Sequence, residues 1–256
     1  MASADPELTL SRDGPVLTVS LERPAKRNAF TGAMYDAFAD ALGELDADAE
    51  LRCLVVRAEG GTFSAGNDLN DFLAQGELSE TSPVVRVLRA LAAADKPILA
   101  AVDGAAVGIG TTLLLHCDLV YATPEARFAV PFVPLGLVPE AASSRLLVEL
   151  VGHRRAMAMF LLGETMDAET ALGAGLVNEL VDAGSLDARV RETARRVAAL
   201  PAGAVRATRA LCRAAPASID DTVSRENARF AERLGAADTR EAIEAVLAAR
   251  GARRPA

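Results

Sequence analysis

The chain has 256 residues, 51% of them hydrophobic, which is enough for one large α/β core. Its 27 Lys and Arg against 35 Asp and Glu leave a formal charge of -8, which excludes a general grip on nucleic-acid phosphates but allows a local basic site for a phosphorylated ligand. Cys53, Cys117 and Cys212 lack the spacing of a zinc site or a disulfide framework and read as buried thiols of a reducing, cytoplasmic compartment; an acidic start and the lack of an apolar run near the roughly 20 residues of a bilayer span argue against export or membrane insertion.

Residues 8–11 and 16–21 alternate in polarity around Asp13-Gly14, the pattern of a β-hairpin, because an Asp-Gly pair accepts the positive φ of a tight turn. Met34, Phe38, Ala41 and Leu45 then recur at helical spacing, and residues 53–58 form a short apolar strand. A loop with Gly60, Gly61 and Gly66 follows. Next the pattern predicts a helix over 83–95, a strand over 98–102, a turn at Asp103-Gly104, a buried helix over 108–116 and a strand over 119–122. Helices alternating with short apolar strands indicate stacked β-α units around a mainly parallel sheet. From Glu140 onward the chain reads as mostly helical, with a strand in 176–181, a capping box at Asp238 and Glu241, and a stop at Gly251. Residues 1–195 are expected to form the core and 196–256 a helical section of the same unit, with apolar faces at 204–211 and 243–247 suited to another subunit.

Two loops carry groups with chemical potential. Phe63-Ser64-Ala65-Gly66-Asn67-Asp68-Leu69 leads small residues from a strand into a helix start, where backbone N–H groups lack intrahelical acceptors. Donors of this kind stabilise a carbonyl oxygen that gains charge, at about 3 kcal/mol each. Residues 103–110, Asp-Gly-Ala-Ala-Val-Gly-Ile-Gly, repeat the arrangement. No Lys-Ser/Thr pair follows, so they do not form a phosphate loop, and their glycine spacing is not that of a dinucleotide fingerprint. Taken singly, each loop is as readily a plain turn or a close backbone contact.

Together with Glu22-Arg23-Pro24-Ala25-Lys26-Arg27-Asn28-Ala29-Phe30 and Ala174-Gly175-Leu176-Val177, these loops resemble the crotonase (enoyl-CoA hydratase/isomerase) family over nearly all of the first 185 residues. The resemblance implies an α/β fold of repeated ββα units with a C-terminal helical section, an acyl-CoA thioester substrate, and a homotrimer or dimer of trimers. It implies no metal and no cofactor, since coenzyme A is part of the substrate. By position, the N–H groups of Asn67 and Ile109 hold the thioester oxygen. Ser64, Ala65, Gly66, Asn67, Asp68 and Leu69 border the adenine and pantetheine. Lys26 and Arg27 approach the CoA phosphates, or form a solvated basic turn. Phe72, Phe132 and Leu137 are expected in the acyl pocket.

Family hydratases use two carboxylates, and the matching places here hold Thr112 and Phe132, neither of which can act as a base. Ile109, where hydratases have glycine, keeps its N–H and is expected to narrow the pocket. The stretch 131–144, Pro-Phe-Val-Pro-Leu-Gly-Leu-Val-Pro-Glu-Ala-Ala-Ser-Ser, resembles the Δ3,Δ2-enoyl-CoA isomerase branch, in which the glutamate at the place of Glu140 is the base. The resemblance thus implies a shift of a double bond from position 3 to position 2. Glu140 read alone is equally an acid in the first turn of a helix, its pKa lowered by the dipole and raised by burial against Phe132, Leu135 and Leu137. The alternatives are a hydratase-like enzyme of other specificity and a non-catalytic acyl-CoA-binding homologue. A serine hydrolase built on Ser64 lacks an evident base, because His116 sits in an apolar run and His153 at a helix start.

Overall fold

The computed structural model describes residues 7–74, 79, 81–213 and 237. The Asp-Gly turn closes the expected hairpin: β1 (Leu8–Asp13) runs antiparallel to β2 (Val16–Leu21), with Asp13 opposite Val16. Helix α1 (Gly32–Ala47) starts at Thr31, whose side chain accepts a hydrogen bond from the Met34 N–H. Its inner face buries Met34, Tyr35, Phe38, Leu42 and Leu45. Thr31→Ala is expected to lower stability by about 1 kcal/mol, the usual worth of such a cap, read as a lower urea midpoint with unchanged slope.

After α1 come β3 (Cys53–Ala58), α2 (Leu69–Ala74), α3 (Pro83–Ala93), β4 (Ile98–Val102), β5 (Ala105–Val107) and α4 (Ile109–Thr112). The order continues with β6 (Leu119–Ala122), β7 (Arg127–Ala129), α5 (Ser143–Val151), α6 (His153–Leu162), β8 (Met166–Asp167), α7 (Ala168–Ala174), β9 (Glu179–Leu180), α8 (Ala183–Ala198) and α9 (Ala202–Arg213). The main sheet has the order β1-β2-β3-β4-β6-β9 and is parallel apart from β1. A second sheet, β5-β7-β8, pairs β5 and β7 in parallel and β7 and β8 antiparallel.

The central strands are apolar without interruption because both faces of the main sheet are covered. Leu54, Val56, Ile98, Ala100 and Val102 join the large core with α1 and α3. Cys53, Val55, Leu99 and Ala101 alternate with them and pack against Leu186, Val190 and Ala194 of α8. No helix among the described residues is long and apolar enough to cross a membrane.

Several elements differ from the pattern reading. The helix expected over 108–116 divides into α4 and a 3-10 turn at Leu113–His116. The one expected over 83–95 stops at Ala93, because Ala94 turns to ψ 128 ahead of the chain's entry into β4. The strand expected in 176–181 narrows to Glu179–Leu180, and β8 carried no sequence signal. Cys53 is buried and Cys117 half-buried, whereas Cys212 is exposed, so the reading of three buried thiols holds for one.

Helix α9 is held to the rest of the chain through charge. Arg209 is its buried residue, and its Nε reaches both carboxylate oxygens of Asp118 at 2.9 Å while Nη1 donates to the Ala94 carbonyl. One turn later, Arg213 donates to the Leu91 carbonyl at 3.2 Å. The capping box at Asp238 and Glu241, the stop at Gly251 and the apolar face at 243–247 lie outside the described residues.

Candidate active site

The two glycine loops meet edge to edge. The Ser64 N–H donates to the Ala105 carbonyl at 3.0 Å, and the Val107 N–H returns a bond to Ser64 at 2.8 Å. On the other side, Phe30 donates to Gly66 at 2.8 Å and Asp68 donates to Phe30 at 2.9 Å, so Asn67 is the bridged residue whose own N–H faces away from the pairing. Gly66 (φ +92) and Gly108 (φ +55) lie back to back: a Cβ on Gly66 would sit 3.1 Å from the Val107 carbonyl oxygen and 3.9 Å from the Gly108 Cα. The residues that follow these glycines are Asn67 and Ile109. Gly108 donates to the Ala129 carbonyl and accepts from Thr111 and Thr112, which leaves Ile109 as the first residue of α4 with no intrahelical acceptor. Among the described residues, neither the Asn67 nor the Ile109 N–H donates to a protein acceptor.

Glu140 completes the constellation. Thr112, three residues beyond Ile109 on α4, donates from Oγ1 to Glu140 Oε1 at 3.5 Å, the outer limit of a hydrogen bond. From the other side, the buried Tyr35 of α1 donates its hydroxyl to Asn67 Oδ1, and the Glu140 carboxylate lies close enough to add to the effect of burial in raising the phenol pKa. Glu140 thus meets the second loop through Thr112 and acts on Tyr35, which holds Asn67 of the first, through charge alone. Burial raises its own pKa to about 7 against a smaller opposing effect of the Thr112 hydroxyl.

The helix-first-turn reading of Glu140 does not hold: α5 begins three residues later, at Ser143. Between them, Ala141 and Ala142 take φ of 53° and 57°, an uncommon pair of left-handed non-glycine residues. The Glu140 carbonyl accepts from the Ser143 N–H at 2.8 Å and from Ser143 Oγ at 2.6 Å. Of the leucines expected beside it, Leu135 is 54% and Leu137 37% exposed. Thr112, which meets the carboxylate, and Tyr35, whose phenol feels its charge, are both buried.

The remaining expected site residues divide into three groups. Ser64 is fully buried, and its hydroxyl donates to the Asn28 carbonyl at 2.8 Å and accepts from the Gly66 N–H at 3.1 Å; its side chain shapes the loop. Asp68 accepts from Arg23 at 2.9 Å, a pair that holds its carboxyl below the usual range. Lys26 and Arg27 lie exposed at the end of a short 3-10 turn, Ala65 is half-buried beside them with its N–H on the Arg27 carbonyl, and Leu69 is 53% exposed. Phe132 is buried against Phe160, with ring centroids 6.4 Å apart, and Ile109 packs its side chain in the core rather than into open space. Leu137 is 37% exposed in the single chain. Phe72 falls on α2, and its side chain lies outside the described residues.

Tyr35 was not legible as a site residue, because it neighbours the apolar stripe of α1 and any buried tyrosine there reads as core. The serine-hydrolase alternative fails on geometry. The Ser64 hydroxyl is inaccessible and its proton is committed to the Asn28 carbonyl, while His116 binds the Ala141 carbonyl. No group of three or more His, Cys, Asp or Glu among the described residues is arranged to hold a metal ion.

The sequence matches the enoyl-CoA hydratase/isomerase family over residues 11–251. It is 33% identical to the 1,2-epoxyphenylacetyl-CoA isomerase of Escherichia coli (strain K12), covering 92% of this chain and 93% of that one. It is 32% identical to the 2,3-dehydroadipyl-CoA hydratase of the same organism, covering 94% and 95%. A solved structure from Magnetospirillum magneticum AMB-1, described as an enoyl-CoA hydratase/carnithine racemase, superposes with a TM-score of 0.92 at 41% identity over 98% of both chains. With two unpaired amides on abutting glycine loops and this match across the chain, the protein belongs to the enoyl-CoA hydratase/isomerase, or crotonase, family.

Proposed function

We propose that this crotonase moves the double bond of a 3-enoyl-CoA to position 2, with Glu140 as the base and the Asn67 and Ile109 N–H groups as the oxyanion hole. The observation that carries the reading is a half-buried carboxylate that meets the Thr112 hydroxyl of α4, whose pKa of about 7 suits proton transfer near neutrality. Thr112 and Phe132 stand where a hydratase needs its carboxylates, so this site has an acid to move a proton but lacks the pair that activates water.

The chemistry follows from charge. Two amides on the thioester oxygen stabilise the negative charge that appears there when the C2 proton leaves. Glu140 takes that proton, the electron pair delocalises over the dienolate, and the same carboxyl returns the proton at C4. One group therefore serves both half-reactions. Lys26 and Arg27, exposed on the loop that feeds Ala65, are proposed to meet the CoA phosphates, with residues 64–69 along the pantetheine. A homotrimer or dimer of trimers, in the cytoplasm, is proposed; such an assembly would cover the exposed Val133, Leu135, Leu137, Val138, Leu161 and Leu162.

The test is an assay of purified protein with a 3-enoyl-CoA, following the absorbance of the conjugated 2-enoyl thioester, beside an assay of crotonyl-CoA hydration. Isomerisation without hydration is expected; the reverse result overturns the proposal. Because the base must be ionised, kcat is expected to fall tenfold per unit below about pH 7 and to level above it. An acid limb near pH 4.5 would remove the role assigned to burial.

A further inference from the structure

We propose that His116 is a positioning residue for Glu140, acting through the main chain of Ala141, and that Arg213 of α9 fixes the histidine in the tautomer this requires. The proposal rests on the reading of Glu140 as the base. Ala141 and Ala142, directly after Glu140, both hold left-handed backbone with no glycine to relieve them, so contacts must impose that geometry. Ala142 is held by α5, whose Arg145 and Leu146 N–H groups bond its carbonyl at 3.0 and 2.9 Å. The carbonyl of buried Ala141 has His116 Nε2 as its partner, at 2.9 Å.

A carbonyl only accepts, so Nε2 carries the proton. The other ring nitrogen, Nδ1, faces Arg213 Nη2 at 3.3 Å, and a guanidinium only donates, so Nδ1 is the acceptor. The ring is therefore neutral and its tautomer is set from both sides. The charged and titratable groups around it are Arg209 and Arg213 of α9 and, next along its own segment, Cys117 and Asp118, with Asp118 paired to Arg209. Burial of the ring, then Arg213 and Arg209, oppose its protonation and outweigh the Ala141 carbonyl, which favours it, and this keeps Nδ1 available to Arg213. The helical C-terminal section thereby reaches the catalytic loop: Arg213 holds His116, His116 holds Ala141, and Ala141 sets where Glu140 stands.

The experiment compares His116→Met, which keeps volume and removes both polar contacts, with His116→Gln, whose amide can donate to Ala141 and accept from Arg213. His116→Met is expected to lower kcat for 3-enoyl-CoA about tenfold with KM within twofold, and to move the Glu140 carboxyl, titrated by carbon-13 NMR, down toward an ordinary glutamate. His116→Gln is expected to restore both. Arg213→Met, outside the active site, is expected to show the same direction with a smaller effect. An unmoved Glu140 titration in His116→Met overturns the proposal, as does equal loss in the Met and Gln variants. The NMR readout does not depend on the reaction. Full turnover in a Glu140→Gln variant would sink the base assignment alone, whereas an unmoved titration would sink the positioning role alone.

Discussion

Glu140→Gln is expected to reduce isomerisation of a 3-enoyl-CoA on the order of 10³-fold while the dissociation constant for the acyl-CoA stays within about twofold. The amide keeps the shape of the carboxyl and can still meet the Thr112 hydroxyl, so packing and the oxyanion loops are undisturbed. What it loses is the ability to accept the C2 proton. Because binding and chemistry separate in this variant, calorimetric titration with a saturated acyl-CoA beside the absorbance assay distinguishes a lost base from a collapsed site. Near wild-type turnover would return Glu140 to a structural role and leave the family match without this reaction.

The same variant makes a second, independent statement. Burial holds the Glu140 pKa at about 7 in the folded chain, above the 4.5 of a solvated glutamate, so the native state binds the proton more tightly than the unfolded state. The sign follows: below pH 4.5 the carboxyl is neutral in both states and carries no penalty, between 4.5 and 7 a destabilisation grows, and above 7 it is constant. Glu140→Gln removes it. Relative to wild type, the variant is expected to gain stability as pH rises through that window, by up to roughly 3 kcal/mol, measured by urea unfolding at about pH 4.5 and pH 8. A catalytic group kept at a local loss of stability is the pattern to look for; equal stabilities at the two pH values would contradict the burial of this carboxyl.

The strands and α1 were legible because burial on both faces writes continuous apolar runs and a helix face writes a 3.6-residue repeat. The two-residue strand β8 writes neither, being held by its partner rather than by its own pattern, and the equally short β9 was read only as a wider strand. At the site, Asn67, Ile109 and Glu140 were singled out because the stretches that carry them resemble the crotonase family, not because their own residues required it. Tyr35, His116 and the two left-handed alanines were not. Their roles come from tertiary placement: a phenol against Asn67, an imidazole against a carbonyl, and Ala141 and Ala142 forced into conformations that their composition disfavours.

Gly66→Val is expected to lower kcat/KM by about 10²-fold to 10³-fold with Glu140 intact, the range associated with loss of one oxyanion donor. At φ +92 the new side chain is strained, and its Cβ would meet the Val107 carbonyl oxygen at 3.1 Å, pressing apart the two loops that present Asn67 and Ile109. The substitution also destabilises the fold, so it needs a partner that carries left-handed strain without the contact. Gly14 serves, because it sits at φ +57 in the hairpin turn, where an added Cβ would meet nothing within 4 Å. Gly14→Ala is expected to lose about 1 kcal/mol of stability and no activity. If both variants lose activity in proportion to stability, loop apposition has no part in catalysis; if Gly66→Val alone loses turnover while still binding acyl-CoA, the negative charge on the thioester oxygen is held by the main chain of these two loops.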